Sequence, residues 1–210
     1  YAADTTLQGI DNTGNVAAVQ ARIAAVNDAA AINTALDIVN DVDATLSQVR
    51  TALIDIAVER NTGTSATEAA RFLDLTAQAQ LEVAELVVEA RPALGYANLD
   101  AIILPADGTG ALSTAMNAHD AEIAKFNAIG NLGATPAPTA SETMAKLDTY
   151  AYAPYVALSN ADKLAVATEI NGLTKMVGTT ETPLDFNGDD AVTTLKEAND
   201  IIDAAIAAIK

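Results

Sequence analysis

Few residues in this chain could do chemistry, and the most suggestive are oxygen ligands. Asp185-x-Asn187-x-Asp189 has the spacing that opens a calcium loop of the EF-hand or dockerin kind, with Val192 at the apolar eighth position. The pattern departs where Asp190 replaces the turn glycine, and where Lys196 replaces the bidentate glutamate, with Glu197 one residue late. With Asp190 and the Ala191 carbonyl completing the shell, Asp185, Asn187 and Asp189 would bind calcium weakly, on the order of 10⁻⁴–10⁻³ M. The competing reading needs no metal: Asp189 or Asp190 caps the final helix, favoured there by the dipole. Calcium at this loop is the sole cofactor in question.

His119 is the only histidine, and so the only side chain whose unperturbed pKa lies near neutrality. It falls on the stripe Leu112, Met116, His119, Ile123, Phe126 and so faces a helix seam, where a packing role is expected. Catalysis would need a partner that the sequence does not offer. Asp37, Asp41 and Asp43 read as a solvated helix–helix connection. Tyr150, Tyr152 and Tyr155 concentrate the aromatics beside Pro154, either as a contact patch or as the plug between two alanine-rich helices. No phosphate-binding glycine loop, nucleophile elbow or His-Glu-x-x-His run occurs. The chain is therefore read as non-enzymatic.

Composition narrows the setting. The absence of Cys excludes disulfides, thiol nucleophiles and Cys-based zinc sites. Against 11 basic residues stand 28 acidic ones, a net charge of −17 that would repel a phosphate backbone or an anionic membrane. No nucleic-acid partner and no membrane span are expected. The chain opens on Tyr1 rather than Met, which reads as a processed or excised product.

The elements that must position these residues are helices. About a fifth of the 210 residues are Ala, which favours helix and close helix contacts but buries little area per residue. Stripes at three- and four-residue spacing run through Val16, Val19, Ile23 and Val26, then Leu46, Val49, Leu53 and Ile56, then Leu81, Ala84 and Val88. Thr76, Ser141 and Ser159 read as caps, as does Ser65 with Glu68. A long helix is expected from Gly110 to about Ile129, and Gly130–Pro138 reads as a linker. Thr182–Phe186 and Thr5–Ile10 carry weak extended signals. The fold class is all-α, an array or bundle of short helices.

Two internal matches divide the array. Leu75–Ala84 aligns with Leu158–Ala167, each placing a leucine, a hydroxyl cap and then Leu-x-Val-Ala. Leu104–Thr114 aligns without gaps with Leu184–Thr194, and Asp11–Val16 supplies a third loop. Two unequal repeat units follow: 1–129 with an N-terminal arm, and 130–210, with helix 110–129 shared between them. By this alignment Ile23 and Asn199 are the counterparts of His119.

The phrases Ala24–Ile32, Ala90–Ala97 and Tyr155–Ala167 resemble Ala/Asp-rich helical repeats of large secreted proteins of Gram-positive bacteria, often found beside S-layer homology modules. Together they touch about a quarter of the chain. The S-layer homology motif itself is absent, so wall anchoring does not carry over. The resemblance implies an extracellular or cell-surface structural or spacer role in a layer, stalk or filament, with no catalytic residues to transfer. The alternative is an adhesin-like module whose tyrosine corner recognises a glycan or protein. Self-association, or contact with neighbouring modules of a longer chain, is expected through the stripe Val192, Leu195, Ile202, Ile206 and Ile209 and through the arm Tyr1–Ile10.

Overall fold

The computed structural model describes residues 30–61, 66–103 and 110–210. These are mostly helical, and their only sheet is a two-stranded hairpin, so the fold is all-α. The arm over residues 1–10, the stripe from Val16 to Val26, Ser65, and residues 104–109 of the second internal match lie outside the described residues. No helix among the described residues is long and apolar enough to cross a membrane.

The chain divides into two compact units, one running to Asp74 and taking in Val87–Ser113, the other made of Leu75–Leu86 and Thr114–Lys210. The division does not fall at residue 130. Residues 114–129 lie with the second unit, as does the stretch 130–138.

In the first unit, α1 covers residues 30–40, α2 is Leu46–Arg60 and α3 is Ala66–Leu73. A reciprocal box starts α2: Thr45 accepts from the Gln48 backbone while the Gln48 side chain accepts from the Thr45 backbone. The expected stripe packs inward at Val49, Leu53 and Ile56, while Leu46 stays exposed. Asn40, ending α1, clamps a distant loop. Its side chain accepts from the Tyr96 amide at 2.7 Å and donates to the Tyr96 carbonyl at 3.0 Å. The Tyr96 hydroxyl donates to the Val87 carbonyl at 2.7 Å. Gly95 allows the clamp, because its φ is +75° and a Cβ there would meet Asn40 Cγ at 2.8 Å. A turn of 3₁₀ helix, Leu99–Ala101, follows, capped by Asn98.

In the second unit, α5 (Ala111–Asn127), α6 (Ala140–Tyr150), α7 (Ala153–Val156), α8 (Asn160–Asn171) and α9 (Leu195–Ala208) follow α4 (Ala77–Glu89). Helices α4 and α5 each give their last and first residues, respectively, to the first unit. Within the second unit α6 packs on α8, and α8 on α9. Phe126 stands at the middle of its core, edge-on to Tyr150 at 5.7 Å between centroids and to Phe186 at 5.2 Å. Around them Leu147, Tyr155, Ile170 and Ile202 are all buried.

Several expectations are corrected here. Gly130–Pro138 is no linker: Leu132 is buried, its amide donates to the Leu184 carbonyl, and Phe186 donates to the Gly130 carbonyl. Glycine and proline mark a packed loop rather than a joint. Helix α6 is capped by Thr139, not Ser141, because Thr139 and Glu142 close a reciprocal box two residues earlier. Neither Asp189 nor Asp190 caps α9; Thr194 does, accepting from the Glu197 amide at 3.1 Å. Of the extended signal at Thr182–Phe186, only Thr182 and Pro183 lie in a strand; the hairpin itself, β1 (Thr174–Val177) and β2 (Thr180–Pro183) turning on Gly178 at positive φ, begins earlier than that signal. Of the stripe expected to self-associate, Val192, Ile202 and Ile206 are buried in their own unit, while Leu195 and Ile209 are half-buried.

The internal matches fare differently. Thr76 and Ser159 cap their helices alike, accepting from Ala79 and Asp162 at 3.2 Å each. In the second match Ala111 opens α5, while its counterpart Ala191 is still loop, ahead of a helix beginning at Leu195. The sequence likeness there does not extend to the helix start.

Candidate functional site

The second unit buries one acid and one imidazole together. On α4 the inward face is Ala79, Val83, Ala84 and Val87, and Glu82, to one side of it, is buried as well. On α5 His119 faces inward, as its stripe requires, with its side chain 1% exposed. The His119 Nε2 lies 2.8 Å from Glu82 Oε2. His119 therefore does have a partner in the chain, contrary to the sequence reading: Glu82, supplied from α4.

Glu82 does more than meet the imidazole. Its Oε2 also accepts from the Leu195 amide at 2.8 Å, and its Oε1 from the Lys196 amide at 2.9 Å and the Gln78 side chain at 3.0 Å. Leu195 and Lys196 are the first residues of α9, whose free amides need partners. With Thr194 serving Glu197, the opening amides of α9 are satisfied by a neighbouring helix and by the cap together. The negative charge also sits where the helix dipole favours it.

The electrostatics follow from this geometry. Burial alone would raise the Glu82 carboxyl, but the hydrogen bonds from His119, Gln78, Lys196 and Leu195 together outweigh it and bring the pKa down to about 2. Glu82 is therefore ionised at ordinary pH, and Nε2 of His119 carries the shared proton as donor. On the other side of the ring, Nδ1 lies 3.5 Å from Asp120 Oδ1.

An acid beside an imidazole is a common start for general acid–base catalysis. Here both carboxylate oxygens are engaged by two donors each, and the ring is closed off from solvent. The pair fastens the start of α9 to α4 and α5.

The tyrosine corner is mostly interior. Tyr155 is fully buried and Tyr150 nearly so, with the Tyr150 hydroxyl donating to Asn199 Oδ1 at 2.8 Å. Burial, then repulsion by Glu82, Glu122 and Tyr152, pushes the Tyr150 phenol up to about 12. Burial and the nearby Asp148 likewise raise Tyr155. Tyr152 alone stays half-exposed, donating to Asp203 at 3.0 Å. Asn199, the alignment counterpart of His119, belongs to this corner.

At the oxygen-rich loop, Asn187 and Asp189 are exposed and Asp185 half-buried. The loop closes on itself: Gly188 and Asp190 donate to the Asp185 carbonyl, and the Asp185 amide donates to Asp190 Oδ2 at 2.9 Å. Asp190 is held below the usual carboxylate range by the Lys175 ammonium, then by that amide. No group of three His, Cys, Asp or Glu side chains able to hold a metal ion occurs among the described residues. Asp37, Asp41 and Asp43 are exposed, and Asp41 accepts from the Asp43 amide at 2.9 Å in a local turn.

The chain matches no family model, no curated protein and no solved structure. Its chemistry has to be judged from its own residues. Of those singled out by sequence, His119 has a buried role, Tyr150 and Tyr155 form a plug, and Asp185, Asn187 and Asp189 lie in a loop whose nearby Asp190 carboxylate is taken by Lys175 and the Asp185 amide. Glu82 is the residue that sequence reading passes over. Its signal is faint: on an alanine-rich helix also bearing exposed Glu85 and Glu89, it reads as part of a solvated face.

Proposed function

We propose that this chain is a non-enzymatic structural or spacer subunit of a bacterial cell-surface assembly, acting outside the cell by associating with copies of itself or with neighbouring modules. The observation that carries the reading is the engagement of Glu82 and His119. The one buried acid–imidazole pair among the described residues is spent on fastening the start of α9. The acidic, Cys-free composition and the resemblance to Ala/Asp-rich surface repeats support the setting. An adhesin-like role drew on the tyrosine corner, and burial of Tyr150 and Tyr155 leaves that role only Tyr152.

Negative-stain electron microscopy of the purified chain at rising concentration tests the reading. Ordered layers, stalks or filaments are expected. A field of single particles at every concentration would overturn it.

A further inference from the structure

In the first unit, Leu94 is 100% exposed, with Val42, 83% exposed, lining the same shallow cleft. Leu94 does not sit on a loose loop. The Asn40 clamp fixes Tyr96 on one side, and on the other Arg91 Nη1 donates to the Asn40 carbonyl at 3.1 Å. Gly95 locks the turn between them, since its φ and its contact with Asn40 admit no side chain. An apolar knob is thus displayed at little remaining conformational cost, which is what preorganised binding requires. Arg91 adds a positive charge beside it, with its Nε buried and unpartnered.

The second unit carries the complementary feature. A groove of about 560 Å³ runs along the outer side of α9, floored by Leu173, Ile201, Ala204 and Ala208. Its rim is acidic: Glu169, Glu197 and Asp200 stand against the single cation Lys196. An apolar knob beside an arginine matches an apolar groove edged by carboxylates. When knob and groove lie at different places on one molecule, their contact is heterologous and propagates copy to copy.

Resting on the structural-subunit reading above, we propose that Leu94 of one copy inserts into the α9 groove of a second copy, with Arg91 facing the acidic rim. The occupant is a second copy because this chain itself supplies both the apolar knob beside a cation and the apolar groove edged by carboxylates. The end copies of any open chain keep one free knob and one free groove, so association continues from copy to copy.

Sedimentation velocity on the full chain and two surface variants tests this. Leu94→Glu removes the knob and leaves the groove; Ala204→Glu blocks the groove and leaves the knob. Both positions are exposed, and unchanged circular dichroism checks that the variants fold. The wild type is expected to form a ladder of oligomers, and each variant alone to associate at least tenfold more weakly. An equimolar mixture of the variants is expected to give a dimer and nothing larger, because only one productive contact remains. If either variant assembles like the wild type, or the mixture stays monomeric, the contact is wrong while the structural-subunit reading stands. A wild type that is monomeric throughout overturns both.

Discussion

A carboxylate surrounded by four donors stays charged out of water, and Glu82 is such a group. Its folded pKa of about 2 lies below the ordinary 4.5, so its stabilisation is complete above pH 4.5 and is lost as the pH falls towards 2. The shift corresponds to about 3 kcal/mol. Glu82→Gln, which turns an amide N–H₂ towards donors, is expected to cost about 2–3 kcal/mol at neutral pH. Urea unfolding of wild type and variant at pH 6, 4 and 2.5 checks this: the gap between them should shrink as the pH falls. A gap independent of pH would mean that the charge is not what matters. Tyr150 works in the opposite sense. Its pKa is raised from 10.0 to about 12, so its contribution is present below pH 10 and disappears as the pH rises through that window. Ala151 is a smaller case. It ends α6 in the left-handed region at φ 60°, a conformation that costs a Cβ-bearing residue about 1 kcal/mol. Ala151→Gly is expected to leave stability unchanged or raise it by up to about 1 kcal/mol, readable as a higher midpoint in thermal melts.

At the scale of elements, α9 depends on two separate devices at its first turn. Thr194 serves one amide and Glu82 serves two more. Thr194→Ala is expected to cost about 1 kcal/mol, with hydrogen exchange rising first at the opening amides of α9. The loop ahead of α9 is closed by the Lys175–Asp190 pair and by its own backbone. Millimolar calcium is therefore expected to leave the thermal midpoint where a chelator leaves it. A calcium shift abolished by Asp185→Ala and Asp189→Ala would restore the metal reading.

Helix existence was legible because apolar spacing and hydroxyl caps are local signals, as Val49, Leu53 and Ile56 on α2 and the caps Thr76 and Ser159 illustrate. The rotation of α4 was not legible. In an alanine-rich helix several faces are equally apolar, and Leu81, Ala84 and Val88 suggest one about 100° away from that of Val83 and Val87. Glu82 lies to one side of either face and is covered by His119, 37 residues along the chain, and by the start of α9, so no local spacing marks it as buried. The packed role of Gly130–Pro138 was hidden for a similar reason, since it depends on Leu184 and Phe186, far along the chain.

As a whole molecule, the chain spends its acid–imidazole pair on a fastening and carries a strongly acidic composition with exposed apolar points such as Leu94 and Val42. A charge of −17 makes copies repel one another, and salt screens that repulsion within about 10 Å at 0.1 M. A building block of this composition should therefore associate more readily as ionic strength rises, provided that its contact is mainly apolar. Light scattering across a concentration series, at low and at high sodium chloride, is the most direct test of the claim that this chain is an assembling structural subunit. An assembling subunit is expected to show an average mass that climbs with concentration and climbs more steeply at high salt. A mass fixed at that of one chain, in every sample and at both salt concentrations, would contradict it.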